Sequence, residues 1–213
     1  MTATRVDADE LLRAAQVNGY RFPAGFTGFR AGLVLPDGSS GQVTARSPRE
    51  IEVTAAAGAA EVGWVRGEIA SIVGHRWPAT YEDGDGRWEK RVEDDGHPLG
   101  PLIVLTGDPY HSSYRVQDGH ISVIDRTMAR ARFLIVIDSR VTLPDGRALP
   151  AHFHVAFWSV PEGRLERVET FQHRYTEVAG VQLPALVRVD TVDDAGLTVR
   201  QFTVTDHEVL ADA

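Results

Sequence analysis

From Leu102 to His207 the sequence is a nearly unbroken series of strand-forming segments, and this run constrains the fold more than any other feature. Eight segments alternate apolar and polar side chains or are rich in Val, Ile, Thr and aromatic residues: Leu102–Thr106, Ser113–Val116, His120–Asp125, Arg132–Leu143, Arg147–Ser159, Leu165–Val178, Gln182–Thr191 and Thr198–His207. Short turn signals separate most of them: Gln117-Asp118-Gly119, Pro144-Asp145-Gly146, Glu162-Gly163, Ala179-Gly180 and Asp194-Ala195-Gly196. Connections this short join antiparallel neighbours. The strand–helix–strand alternation of a parallel nucleotide-binding sheet is missing from the pattern. Several segments exceed the usual strand length of about five or six residues, and long antiparallel strands tend to coil. The expected fold is therefore mainly β (α+β): one domain spanning residues 1–213, a curved antiparallel half-barrel or barrel of long strands with one or two covering helices.

The first half supplies the helices. Asp7 is a suitable N-cap for a helix over Ala8–Val17, with Leu11, Leu12, Ala14 and Ala15 on its apolar side and Asn18-Gly19 as its stop. Phe29, Ala31, Leu33 and Leu35 alternate as a half-buried strand should, and Pro36-Asp37-Gly38 turns the chain into further strands at Gly41–Ala45 and Ile51–Thr54. A second helix is expected over 57–75, where Val62, Val65, Ile69, Ile72 and Val73 form one stripe. Gly63 and Gly67 inside it suggest either a close approach to a sheet or an irregular helix. Tyr81–Gly100 reads as a solvated acidic loop around a short strand at Arg87–Val92, with turns at Asp83–Gly86 and Asp94-Asp95-Gly96. It lacks the spacing of a calcium-binding loop.

Composition narrows the function classes. The net charge of −8 and the lack of a basic run argue against nucleic-acid binding, which needs cations to replace phosphate counterions. With no cysteine there is no disulfide framework, thiolate nucleophile or Cys-bearing metal site. Asp7, Asp9 and Glu10 interrupt any secretory apolar core, no segment reads as a membrane span, and Met1 reads as a natural start, so a cytoplasmic location is expected. No nucleophile-elbow, zinc-protease or phosphate-loop motif is present, and no cofactor is implied.

The candidate site lies in the hairpin around Glu162-Gly163. If those two residues form the turn, His152 faces His173, His154 faces Phe171, Ala156 faces Glu169 and Trp158 faces Arg167. Alternation then puts His152, His154, Trp158, Phe171, His173 and Tyr175 on one face, and Phe153, Val155, Phe157 and Val168 on the core face. Three imidazoles on one face can ligate a metal, so His152, His154 and His173 are candidate ligands. The same histidines with Glu169 can act as acid and base, or the face can bind a flat or greasy molecule through Trp158, Phe171 and Tyr175. Arg126, beside Asp125, is a candidate anchor for an anionic group. Trp64, Trp77, Trp88 and Trp158 are scattered and read as core or lid residues.

The stretches LLRAAQVNGYRFPAGFTGFRAGL, VIDRTMARARFLIVI, LPAHFHVAFWSVPEGRLERVETF and YTEVAGVQLPALVRV resemble a bacterial family of unknown function with cyanobacterial, planctomycete and actinobacterial members. That family is similar in layout to the lipoprotein-carrier fold, an antiparallel half-barrel lidded by helices. The resemblance implies a cavity for lipophilic ligands and assigns no catalytic residue. The leading expectation is thus a protein that binds a hydrophobic or aromatic small molecule in the concavity of its sheet. The alternatives are an enzyme of specialised metabolism (a cyclase, isomerase or lyase) using the same pocket, and a His-ligated metal protein. A homodimer is left open.

Overall fold

The computed structural model describes residues 7–93 and 95–211; the turn expected at Asp94 and the start of the chain at Met1 lie outside the described residues. The elements are α1 (Ala8–Val17), β1 (Phe29–Val34), β2 (Ser40–Ser47), β3 (Glu50–Ala55), α2 (Ala59–Arg76), a 3-10 turn at Asp85–Arg87, β4 (Glu89–Glu93), β5 (Leu102–Thr106) and β6 (Ser113–Gln117). They continue as β7 (His120–Thr127), β8 (Ala131–Thr142), β9 (Ala148–Ser159), β10 (Leu165–Val178), β11 (Val181–Asp193) and β12 (Gly196–Val209). The twelve strands hydrogen-bond in the order β3-β2-β1-β12-β11-β10-β9-β8-β7-β6-β5-β4. This bears out the mainly β, antiparallel reading, with two helices. Among the described residues no helix is long and apolar enough to cross a membrane.

Local chemistry explains these elements. Asp7 caps α1 by accepting from the Asp9 and Glu10 amides at 2.8 and 3.3 Å. Asp118 (φ 51°) and Gly119 (φ 74°) both adopt left-handed backbone, the requirement of the tightest two-residue hairpin turn. The β9–β10 hairpin departs from the expected two-residue turn. Ser159 N–H donates to Arg164 O at 2.9 Å and Gly163 N–H to Ser159 O at 3.0 Å, so Val160–Gly163 all belong to the turn. Gly163, at φ 67°, supplies the left-handed residue that lets the turn close there.

The described residues divide into two compact units. The first holds the residues up to Tyr20, Ala79–Thr170 and Asp190–Thr198; the second holds Arg21–Pro78, Phe171–Val189 and Val199 onward. Each of β10, β11 and β12 therefore contributes residues to both.

In the first unit α1 lies against β4, β6 and β7. Its Ala8, Leu12 and Ala15 recur at helical spacing and join Tyr81, Ile103, Leu105, Tyr114 and Val116 in one core cluster. Ala14, expected on the apolar side, is exposed instead, because it falls outside that spacing. The expected acidic loop is only partly solvated. Asp85 accepts hydrogen bonds from Gln16 Nε2 at 2.6 Å and Tyr114 Oη at 2.7 Å, tying the loop to α1 and β6. Lys90 is also drawn inward: its side chain is 3% exposed, and its Nζ lies 2.9 Å from Asp9 Oδ1. With Lys90 and the Tyr81 hydroxyl beside it, the Asp9 carboxyl titrates below its ordinary range.

In the second unit α2 lies against β2 and β3 and buries Val65, Ile69, Ile72, Val73 and Arg76. β1 pairs with β2 and β12, and Phe29, Leu33, Val43, Ala45, Phe202 and Val204 are buried there. Gly63 and Gly67 of α2 serve neither expected purpose. A Cβ at Gly63 or Gly67 would meet nothing within 4 Å, and the helix runs unbroken for 18 residues. Both lie on the exposed side. Gly67→Ala is expected to stabilise the chain by about 0.5–1 kcal/mol through lower unfolded-state entropy. Urea unfolding checks this; an unchanged or lower midpoint would contradict an open helical site.

Candidate functional site

In an antiparallel ladder, partners across the strands share a face. Tyr114 pairs with Ile124, Ile124 with Ile135, and Ile135 with Val155. One step along, Arg126 pairs with Phe133 and Phe133 with Phe157. Tyr114 is in the core under α1, so all of these side chains lie on the face that α1 covers at β4, β6 and β7. Farther across the sheet the face stays apolar while burial falls. Phe133, Ile135, Ile137, Phe153 and Phe157 are only half-buried. The rings of Phe133 and Phe157 are 6.2 Å apart, and the Arg167 guanidinium lies 3.7 Å above the Phe157 centroid. The row across four strands thus reads Arg126, Phe133, Phe157, Arg167.

Each cation in the row is positioned by its neighbours. Arg167 Nε donates to Glu169 Oε1 at 2.7 Å. Arg126 Nη2 donates to Tyr114 Oη at 2.8 Å, while its buried Nε has no acceptor. Tyr110 lies 5.7 Å from the Arg126 guanidinium, on a loop held by buried Asp108, which accepts from the Tyr110 and Ser112 amides and the Ser112 hydroxyl. Burial pushes the Tyr114 phenol well above its ordinary pKa, so it remains a protonated hydrogen-bond donor to Asp85. Asp125, although next to Arg126 in the chain, does not pair with it. Adjacent strand residues point to opposite faces, and Asp125 instead accepts from Arg132 Nε and Nη2 at 3.0 and 2.6 Å.

The other predicted residues fall elsewhere. His154 pairs with Val136 and Trp158 with Arg132, which puts both on the face opposite Phe133 and Phe157. There His154 Nδ1 lies 3.1 Å from Asp138 Oδ2, and the Arg132 guanidinium lies 5.2 Å over Trp158. His152 faces Ser139 and is exposed. His152, His154 and Glu169 belong to the first unit, whereas Phe171, His173 and Tyr175 belong to the second. Among the described residues, no three or more His, Asp or Glu side chains are arranged to hold a metal ion.

In the second unit Phe171, His173 and Tyr175 form a row of edge-to-face rings, with centroids 6.0 and 6.2 Å apart. His173 Nδ1 is 3.3 Å from Tyr175 Oη. Burial, helped by the charge on Arg76, pushes the His173 pKa down to about 3, so the ring is neutral and a weak base near neutral pH. Arg76 and the Phe133–Phe157 pair are the residues that sequence reasoning passed over. Arg76 had a signal: it follows Ile69, Ile72 and Val73 at helical spacing, on the buried stripe. Phe157 reads as ordinary core and Phe133 carries no separate signal; only their half-exposure distinguishes them.

These features define a predominantly β protein, whose described residues build a twelve-stranded antiparallel sheet with two helices and bear an arginine-flanked aromatic face. The chain belongs to the family described as "Protein of unknown function (DUF3386)", which matches residues 3–210 and bears out the resemblance read from the sequence. Among curated proteins none matches it. Among solved structures it is similar to a LolA superfamily protein, NE2245, from Nitrosomonas europaea. The identity is 12%, the TM-score 0.40, and the match covers 98% of this chain and 96% of that one.

Proposed function

We propose that this protein binds an apolar or aromatic small molecule against the half-buried face of β8 and β9. The carrying observation is the set Phe133, Ile135, Ile137, Phe153 and Phe157, flanked by Arg126 and Arg167 and left half-exposed beyond α1's cover. Exposed apolar surface of this kind is costly, and covering it with a ligand recovers roughly 25 cal/mol per Å². Aromatic side chains bracketed by guanidinium groups also favour a flat ring, through stacking and cation–π contact.

The neutral dye Nile red tests the reading on the full chain. Its fluorescence is expected to rise saturably with the parent protein. Phe133→Ala/Phe157→Ala is expected to weaken binding at least tenfold while the far-ultraviolet circular dichroism stays unchanged. Phe157→Leu, a milder change, keeps the test usable if the double variant does not fold. Absence of saturable binding, or equal binding by the folded variants, would refute it.

A further inference from the structure

We propose that Arg76 is the centre of a second binding site, in the other unit, for the carboxylate of a small aryl monocarboxylic acid. Arg76 is only 6% exposed, although arginine is seldom buried without a partner. It ends α2 in phase with Ile69, Ile72 and Val73, so the helix's own geometry carries its side chain into the interior. Nη1 donates to Ile72 O at 3.0 Å and Nη2 to Tyr175 Oη at 2.5 Å. Nε is buried and has no acceptor. Both acceptors are neutral groups, and no carboxylate of the described residues forms an ion pair with Arg76.

A buried guanidinium without a counter-ion is costly, because its hydration is lost and nothing of opposite charge replaces it. The last carbonyls of α2 offset this in part, as a helix C-terminus carries about half a negative charge. The remaining charge and the idle Nε donor are what a carboxylate would satisfy. Its two oxygens match the planar fork of Nε–H and a second Nη proton. One guanidinium calls for one negative charge, which favours a carboxylate over a phosphate dianion. The half-buried rings of Phe171 and Tyr175, on either side of His173, supply an apolar, aromatic surround. His173 is neutral there, leaving Arg76 as the charged group that faces the anion.

Calorimetric titration of the full chain at pH 7 with benzoate, benzyl alcohol and inorganic phosphate tests the assignment. Benzoate is expected to bind saturably and raise the melting temperature, with benzyl alcohol at least tenfold weaker. Arg76→Met, folded by circular dichroism, is expected to lose benzoate affinity at least tenfold while binding Nile red as the parent does. The two sites therefore stand or fall separately. If Arg76→Met does not fold, Arg76→Lys, which keeps the charge but loses the fork, is expected to bind benzoate several-fold more weakly. No benzoate binding by the parent, equal binding by the folded variant, or a preference for phosphate would overturn the proposal.

Discussion

Between pH 6.5 and pH 4 the chain is expected to lose about 3 kcal/mol of stability through His173 alone, at about 1.4 kcal/mol per pH unit over that range. In the folded chain this histidine titrates near 3, because burial and the neighbouring Arg76 charge both oppose protonation; the ordinary value is 6.5. Below pH 6.5 the unfolded chain takes up a proton that the folded chain refuses. Unfolding therefore becomes more favourable as the pH falls, and the loss is complete once the folded pKa is passed. Above pH 6.5 both states are neutral and the contribution is flat. Urea unfolding at a series of pH values, on the parent and on His173→Gln, isolates this. Carboxylates with lowered pKa values, such as Asp9 and Asp145, weaken both proteins in acid alike, so the difference between the two curves reports His173. Superimposable pH profiles would show that the imidazole is not held neutral by burial.

Phe202→Ala is expected to cost about 3–5 kcal/mol, enough to consume much of the stability of an ordinary domain. Phe202 is 0% exposed, and Trp64 of α2 meets it edge-on with ring centroids 5.4 Å apart. The substitution removes most of a large side chain from a packed interior and leaves a cavity that β12 cannot collapse to fill. Arg200, whose guanidinium lies 5.6 Å over the same Trp64, would lose part of its support as well. Phe202→Leu keeps most of the volume and is expected to cost under about 1.5 kcal/mol. Denaturant midpoints for the pair supply the comparison. A loss below about 1 kcal/mol for the alanine variant would mean that the ring is not in a close-packed core.

Much of the fold is legible along the chain because its signals are local. Asp7 and Asn18 bound a helix by capping chemistry, and α1 spans the expected Ala8–Val17. The strands follow the alternation of side chains between turn residues, and β8, expected over Arg132–Leu143, runs from Ala131 to Thr142. The β9–β10 turn was harder to read. A glycine that can be left-handed fits a two-residue turn and a four-residue turn equally well, and the hydrogen bonds around Ser159 choose the longer one. That choice shifts the pairing beside the turn by two residues, so that Ser159 rather than Pro161 stands opposite Arg164.

The candidate sites divide in the same way. Period-two alternation alone separated Phe153, Val155 and Phe157 from His154 and Trp158, since successive strand residues must point to opposite faces. Helical phase continues the buried stripe from Ile69, Ile72 and Val73 to Arg76, one residue past the expected end of the helix. Which face α1 covers, how far that cover extends, and whether a buried arginine meets a carboxylate depend on residues far apart in the chain. Lys90 finds Asp9 and Arg76 finds Tyr175, but among the described residues Arg76 finds no acid. Burial and charge compensation are set by neighbours across the fold, whereas backbone periodicity is set by neighbours along the chain. For that reason the amino-acid order determined the elements and their faces, and only the tertiary structure decided which of those faces stayed open and which charge stayed unpaired.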